Sequence, residues 1–88
     1  IDALIIPMEN CYDYAIKLLN KFENSGKIIQ IYFEDAKMKK KISYADKLNI
    51  PYIIIVGEDE KVNNTYTVKD LKTGEQSTVD FEGLIKLI

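Results

Sequence analysis

The side chains able to do chemistry in this 88-residue chain are carboxylates, lysines and tyrosines; histidine and arginine are absent and cysteine occurs once, at Cys11. Without histidine, Ser-His and Cys-His nucleophile systems are excluded. Zinc sites built on Cys and His fail for the same reason. The four glycines are scattered and form neither a dinucleotide fingerprint nor a phosphate-binding loop. Glu58-Asp59-Glu60 could attract a hard cation, but adjacent carboxylates converge on one ion only if the loop wraps around it. A solvated acidic loop is the simpler reading. Glu34-Asp35 could be named a catalytic carboxylate pair, yet Asp35 is better placed to cap a helix. A phosphorylated signalling receiver wants an acidic cluster after the first strand and an aspartate at the end of the third. Ile6-Pro7-Met8-Glu9 and Val56-Gly57 occupy those places. No catalytic residue and no metal site is expected.

Recognition has more to work with. Lys37, Lys39, Lys40 and Lys41 crowd the start of the second helix, where cations oppose the helix dipole. Phosphate contact would give a reason to keep them there; a solvated face in a lysine-rich protein is the plain alternative. Tyr12, Tyr32, Tyr44, Tyr52 and Tyr66 could each offer a stacking platform, although packing in or over the core is the commoner fate of tyrosine. Tyr32, close to the end of a strand, is the best candidate to escape it.

The elements that must position these residues follow from periodicity and punctuation. Asp2 to Pro7 reads as a first strand, with an apolar run stopped by Pro7. Asn10 can cap a helix, with Asp13 as a weak capping-box partner. Tyr12, Ala15, Leu19 and Phe22 fall on one face of that helix, and Gly26 suits a left-handed exit. Lys27 to Phe33 is a second strand. Asp35 caps a second helix whose buried face would carry Met38, Ile42, Ala45 and Leu48, ending before Pro51. Tyr52 to Val56, apolar on both faces, is a third strand expected at the centre of the sheet. Gly57 to Glu60 leaves it as a polar loop. Tyr66 to Leu71 and Gln76 to Val79 form a hairpin turning at Gly74, and Phe81 to Ile88 is a last helix capped by Asp80. Two right-handed crossovers make the first three strands parallel. The expectation is a three-layer α/β/α domain with a mixed five-stranded sheet. Ligands of such sheets favour the crevice outside the carboxyl ends of the strands. That edge would carry Met8, Glu9 and Asn10, then Glu34 and Asp35, then Glu58, Asp59 and Glu60, with Lys37 and Lys41 nearby.

Composition narrows the partner. The chain is 47% hydrophobic and 30% charged, with a net charge of −2. Its length suits one domain. Its longest apolar run is too short to span a membrane, and nothing resembling an export leader precedes the first strand. A solitary cysteine fits a reducing, cytosolic setting. Ile1 opens directly into a strand without an initiator methionine, so the chain is expected to be a piece of a longer protein. A general nucleic-acid binder driven by charge would be basic. A reader of a few unstacked bases needs no large positive field.

Tyr44-Ala45-Asp46-Lys47, Ile50-Pro51-Tyr52, Gly57-Glu58-Asp59-Glu60 and Lys69-Asp70-Leu71, in that order behind the strand to Pro7 and the Gly26 turn, carry a resemblance over almost the whole chain. The string resembles the anticodon-binding domain of class II aminoacyl-tRNA synthetases. The tract Lys69-Asp70-Leu71-Lys72-Thr73-Gly74-Glu75-Gln76 is most similar to the C-terminal domain of the histidyl-tRNA synthetases. Threonyl and prolyl domains are the sister alternatives, and a synthetase-derived regulatory or protein-interaction module is a third. The resemblance implies a five-stranded mixed sheet with three helices and a site for the tRNA anticodon loop along the strand edge. Glu60 and Lys69 then match base-contacting positions, Asp35 and Lys37 a second contact segment with Lys41 on the same face, and Glu9 the first loop. It further implies a cytoplasmic, homodimeric parent whose separate catalytic domain uses ATP with magnesium to join histidine to tRNA. The piece itself would be a monomer that binds without catalysing. Two departures stand out: lysine replaces the arginine often used in this superfamily, which removes a bidentate fork, and Ala36 stands where a polar residue or glycine is common.

Overall fold

The computed structural model describes residues 1–8, 11–34 and 36–88. Strand β1, Ala3–Pro7, is buried along its whole length. Helix α1, Tyr12–Lys21, leads to the short strand β2, Ile29–Ile31; helix α2, Met38–Lys47, leads to strand β3, Tyr52–Val56. A short helix α3, Glu58–Asn63, precedes the hairpin of β4, Tyr66–Asp70, and β5, Gln76–Val79, and helix α4, Phe81–Leu87, comes last. The strands make one mixed sheet in the order β2-β1-β3-β4-β5. β1 pairs in parallel with β2 and with β3, while β4 runs antiparallel to both β3 and β5.

Handedness sorts the helices onto the two faces. The first crossover places β2 on one side of β1 and the second returns β3 to the other side. Two right-handed connections running in opposite directions must cover opposite faces. Tyr14, Ala15, Leu18 and Phe22 of α1 accordingly pack with Leu84 of α4 on Ala3, Ile5, Ile54, Tyr66 and Val68. Ala45 packs with Ile42 of α2 on Leu4, Ile6 and Ile53. The result is the expected three-layer α/β/α arrangement, and β3 is the middle strand.

Several local expectations are corrected. α1 turns Tyr14 and Leu18 inward and leaves Tyr12 exposed, because Tyr14 stacks on Tyr66 at 5.4 Å and its hydroxyl donates to the Thr65 carbonyl at 2.9 Å. The cap position of α1 is Cys11; Asn10, the expected cap, lies outside the described residues. β2 is three residues long, shorter than the Lys27 to Phe33 stretch. α2 starts at Met38 with Lys37 in the cap position and no side-chain cap; Asp35 also lies outside the described residues. Leu48 is exposed beyond the end of α2. The tract Gly57 to Glu60 is the start of a helix, so the described residues contain four helices where three were expected. α1 ends at Lys21, and Asn24, with φ 67°, is the first left-handed residue after it; Gly26, with φ +81°, lies farther along that turn, and Gly74 turns the hairpin with φ +79°. Asp80 caps α4 by accepting from the Gly83 N–H at 2.9 Å.

Candidate nucleic-acid interface

Because β1, β2 and β3 are parallel, their carboxyl ends share one edge, and the antiparallel β4 begins there. The Met8 N–H donates to the Val56 carbonyl at 2.8 Å, extending the β1–β3 ladder to the edge. Glu9, the next residue in the chain, lies outside the described residues.

After β3, Gly57 has no side chain with which to cap α3, and Glu60 supplies the cap instead. Its Oε1 accepts from the Gly57 N–H at 2.8 Å, half of a capping box. Its Oε2 accepts from the Thr67 hydroxyl at 3.2 Å, and Thr67 Oγ1 lies 3.3 Å from Thr78 Oγ1 on β5. Three carboxylates in the first turn of α3 sit well at the positive end of a helix dipole. This accounts for the acidic tract without a cation. Glu60 therefore keeps only part of its acceptor capacity, of about four lone-pair sites, for a ligand. Lys69 is two residues beyond Thr67 on β4, hence on the same sheet face. It stands in register with Ile53 and with Gln76. Gln76 and Thr78 beside it are exposed. Glu60, Thr67, Lys69, Gln76 and Thr78 thus form a polar strip of acceptors and donors on one face of the hairpin.

At the other end of the edge, Lys37, Lys39 and Lys40 are exposed. Lys41, one turn after Lys37, is 8% exposed and its Nζ lies 5.9 Å from the centre of the Tyr32 ring. It is held by packing and a cation–π contact. β2 and β4 are three strand spacings apart, about 14 Å; the lysines flank the edge on one side, while the hairpin strip meets it on the other at Thr67 and Thr78 and runs away from it to Lys69 and Gln76.

Tyr32 does not serve as a platform: it is 6% exposed and packs edge-on against Tyr44 at 5.2 Å. Burial raises its phenol pKa, and Glu34 adds to the effect. Tyr66 is buried as well. The exposed aromatic residues at the edge are Tyr12 and Phe33, whose rings lie parallel with centroids 6.2 Å apart. Phe33 escaped the sequence reading because it fell inside an expected strand. The shortness of β2 leaves it past the strand end. Thr67 was missed because nothing in the local sequence signals its pairing with Glu60. The Gly57-to-Glu60 spacing, by contrast, is a legible capping pattern.

A mixed five-stranded sheet in this order, covered by helices on both faces, is a fold found in solved aminoacyl-tRNA synthetases. A solved histidyl-tRNA synthetase of S. aureus superposes with a TM-score of 0.83 at 31% identity, covering 99% of this chain and 23% of that one. An RNA binding domain of a threonyl-tRNA synthetase from Cryptosporidium parvum superposes at 0.88 with 22% identity, over 98% of this chain and 22% of that one, a likeness of fold. Residues 2–88 match the family described as the anticodon binding domain, and the chain belongs to that family. Among its relatives are the histidine–tRNA ligases of Clostridium acetobutylicum, 47% identical over 90% of this chain, and Clostridium tetani, 45% identical over 98%. The chain spans 18% and 20% of the length of those two proteins.

Proposed function

We propose that residues 1–88 are the anticodon-binding domain, placed C-terminally, of a histidine–tRNA ligase, and that the carboxyl edge of the sheet reads the anticodon bases. The observation that carries this reading is the 45% identity to the Clostridium tetani histidine–tRNA ligase across nearly the whole chain. Glu60 and Thr67 at the edge can accept from or donate to base amino and imino groups, and Lys69, farther along β4 in register with Ile53 near the start of β3, can address base oxygens. Lys37, with Lys39 and Lys40, meets the phosphates. Glu9 and Asp35 complete the set by their place in the chain, and Lys41 acts by supporting Tyr32 beneath the lysine cluster. Catalysis is the business of the parent's other domain, where ATP and magnesium would bind. Among the described residues there is no group of three or more His, Cys, Asp or Glu side chains placed to hold one metal ion. The parent is a cytoplasmic homodimer, the domain alone a monomer, and no described helix is long and apolar enough to cross a membrane. Anticodon binding favours the cognate tRNA by holding its distant acceptor end for the catalytic domain.

The test is binding of a hairpin bearing the histidine anticodon GUG against the same hairpin with scrambled loop bases. Preference for GUG supports the reading; equal affinity for both contradicts it. Binding should also weaken with salt. Replacing Lys37, Lys39 and Lys40 by glutamine should flatten the log–log slope by about 0.7 for each phosphate no longer neutralised.

A further inference from the structure

We propose that Tyr12 and Phe33 form an aromatic ledge on which one unstacked base of the RNA loop lies, a proposal that rests on the anticodon-reading function above. Both rings are exposed: Phe33 is 63% exposed and Tyr12 38%, while Ile31 and Tyr32, just before Phe33, are each 6% exposed. Their planes are within 5° of parallel. The Tyr12 hydroxyl donates to the Phe33 backbone carbonyl at 3.4 Å, which ties the Tyr12 ring to the segment that carries Phe33. A single exposed aromatic residue needs no explanation, but a parallel pair in this place does.

The place is set by topology. The connection leaving β1 enters α1 on one face of the sheet, and the connection leaving β2 leads to α2 on the other. Ligands of α/β sheets bind outside the carboxyl ends of the strands, and at the β1–β2 side of that edge the two connections form the walls. Tyr12 opens α1 and Phe33 follows β2, so each wall contributes one ring. Met8, 42% exposed and packed beside Gly57, continues the apolar surface toward β3. The exposed lysines at the start of α2 follow Phe33 in the chain.

The chemistry selects a nucleobase. An open π face stacks with any base, and ammonium groups a few residues away suit the phosphates on either side of it. A chain of net charge −2 is a poor match for an anionic membrane or a duplex held by charge. The hairpin strip and the ledge then divide the work: polar side chains discriminate, and the ledge holds a base out of its own stack.

The test is a binding series with the GUG hairpin and with hairpins made abasic at each loop position in turn. Phe33→Leu keeps the apolar bulk and removes the π face; Phe33→Tyr restores a ring. Phe33→Leu should weaken the intact hairpin by about 5- to 150-fold, the range of one base–aromatic stack. Phe33→Tyr should stay within about twofold, with unchanged thermal midpoints for both variants because the side chain is mostly exposed. At one loop position the abasic hairpin should bind wild type and Phe33→Leu equally. If wild type prefers GUG but Phe33→Leu binds it as well as wild type does, the ledge is wrong and the anticodon reading stands. If wild type shows no preference, both fall.

Discussion

Glu60 serves the fold and the proposed site with the same carboxylate. One oxygen caps α3 through Gly57 and the other takes the Thr67 hydroxyl. Glu60→Ala should therefore cost about 1 kcal/mol of stability as well as weaken anticodon preference. Glu60→Gln, which keeps an acceptor oxygen, should recover most of the thermal midpoint without restoring preference. A full loss of preference with an unmoved midpoint in Glu60→Ala would show that the cap contributes nothing. Tyrosines set the alkaline limit. Burial and the neighbouring Tyr66 push the Tyr14 phenol far up from its ordinary value, and burial with Glu34 raises Tyr32. Above the ordinary tyrosine pKa of about 10, the unfolded chain gives up protons that the folded chain keeps. Stability is thus complete below pH 10 and falls as the pH climbs beyond it. Urea midpoints from pH 8 to 11 should decline above 10, and less steeply in Tyr14→Phe. Cys11 follows the same logic. Its thiol is buried and its pKa is raised by that burial and by Glu58, so it should react slowly with thiol reagents until the chain unfolds.

Among the elements, α1 shows where periodicity runs out. Tyr12, Ala15, Leu19 and Phe22 satisfy a helical period, and so do Tyr14, Ala15, Leu18 and Phe22. Both stripes share Ala15 and Phe22, and the choice between them depends on Tyr66, 52 residues beyond Tyr14 and invisible to local pattern. Leu18→Ala should cost about 2–5 kcal/mol, whereas Ile16→Ala on the exposed side should stay within about 0.5 kcal/mol; chemical denaturation separates the two. α3 hid for another reason. It has no buried residue and its Val62 is 79% exposed, so it carries no apolar stripe to read. Its stability comes from the cap, from the Asp13–Lys61 pair at 3.3 Å that ties it to α1, and from Asn64, which ends it with φ 58°. β1, β3 and the hairpin were legible because continuous apolar runs and a glycine turn leave few other readings. The position of Phe33 beyond β2 was not, since β2 leaves β1 after Ile31 although β1 runs on to Pro7, and no local pattern marks that departure.

At the scale of the whole molecule, the central strand decides both stability and site. β3 is hydrogen-bonded to β1 on one side and β4 on the other, and Ile54 at its middle has no exposed surface. Ile54→Ala should cost about 2–5 kcal/mol by transfer and cavity terms together; a shift below about 1 kcal/mol in urea would argue against this sheet order. The fold class and the polar edge could be anticipated from element order, because right-handed crossovers leave few topologies. The division of that edge into a lysine cluster, an aromatic ledge and a hairpin strip could not, because it depends on which side chains are already used inside the fold. Lys41 and Tyr32 are spent on each other, and Glu60 is half spent on its own helix. The most direct measurement is an amide-shift titration with the GUG hairpin and its scrambled counterpart. The account predicts GUG-selective shifts at Glu60, Thr67 and Lys69 together with Phe33 and Lys37. Equal, salt-sensitive shifts with both hairpins, confined to Lys37–Lys41, would contradict it.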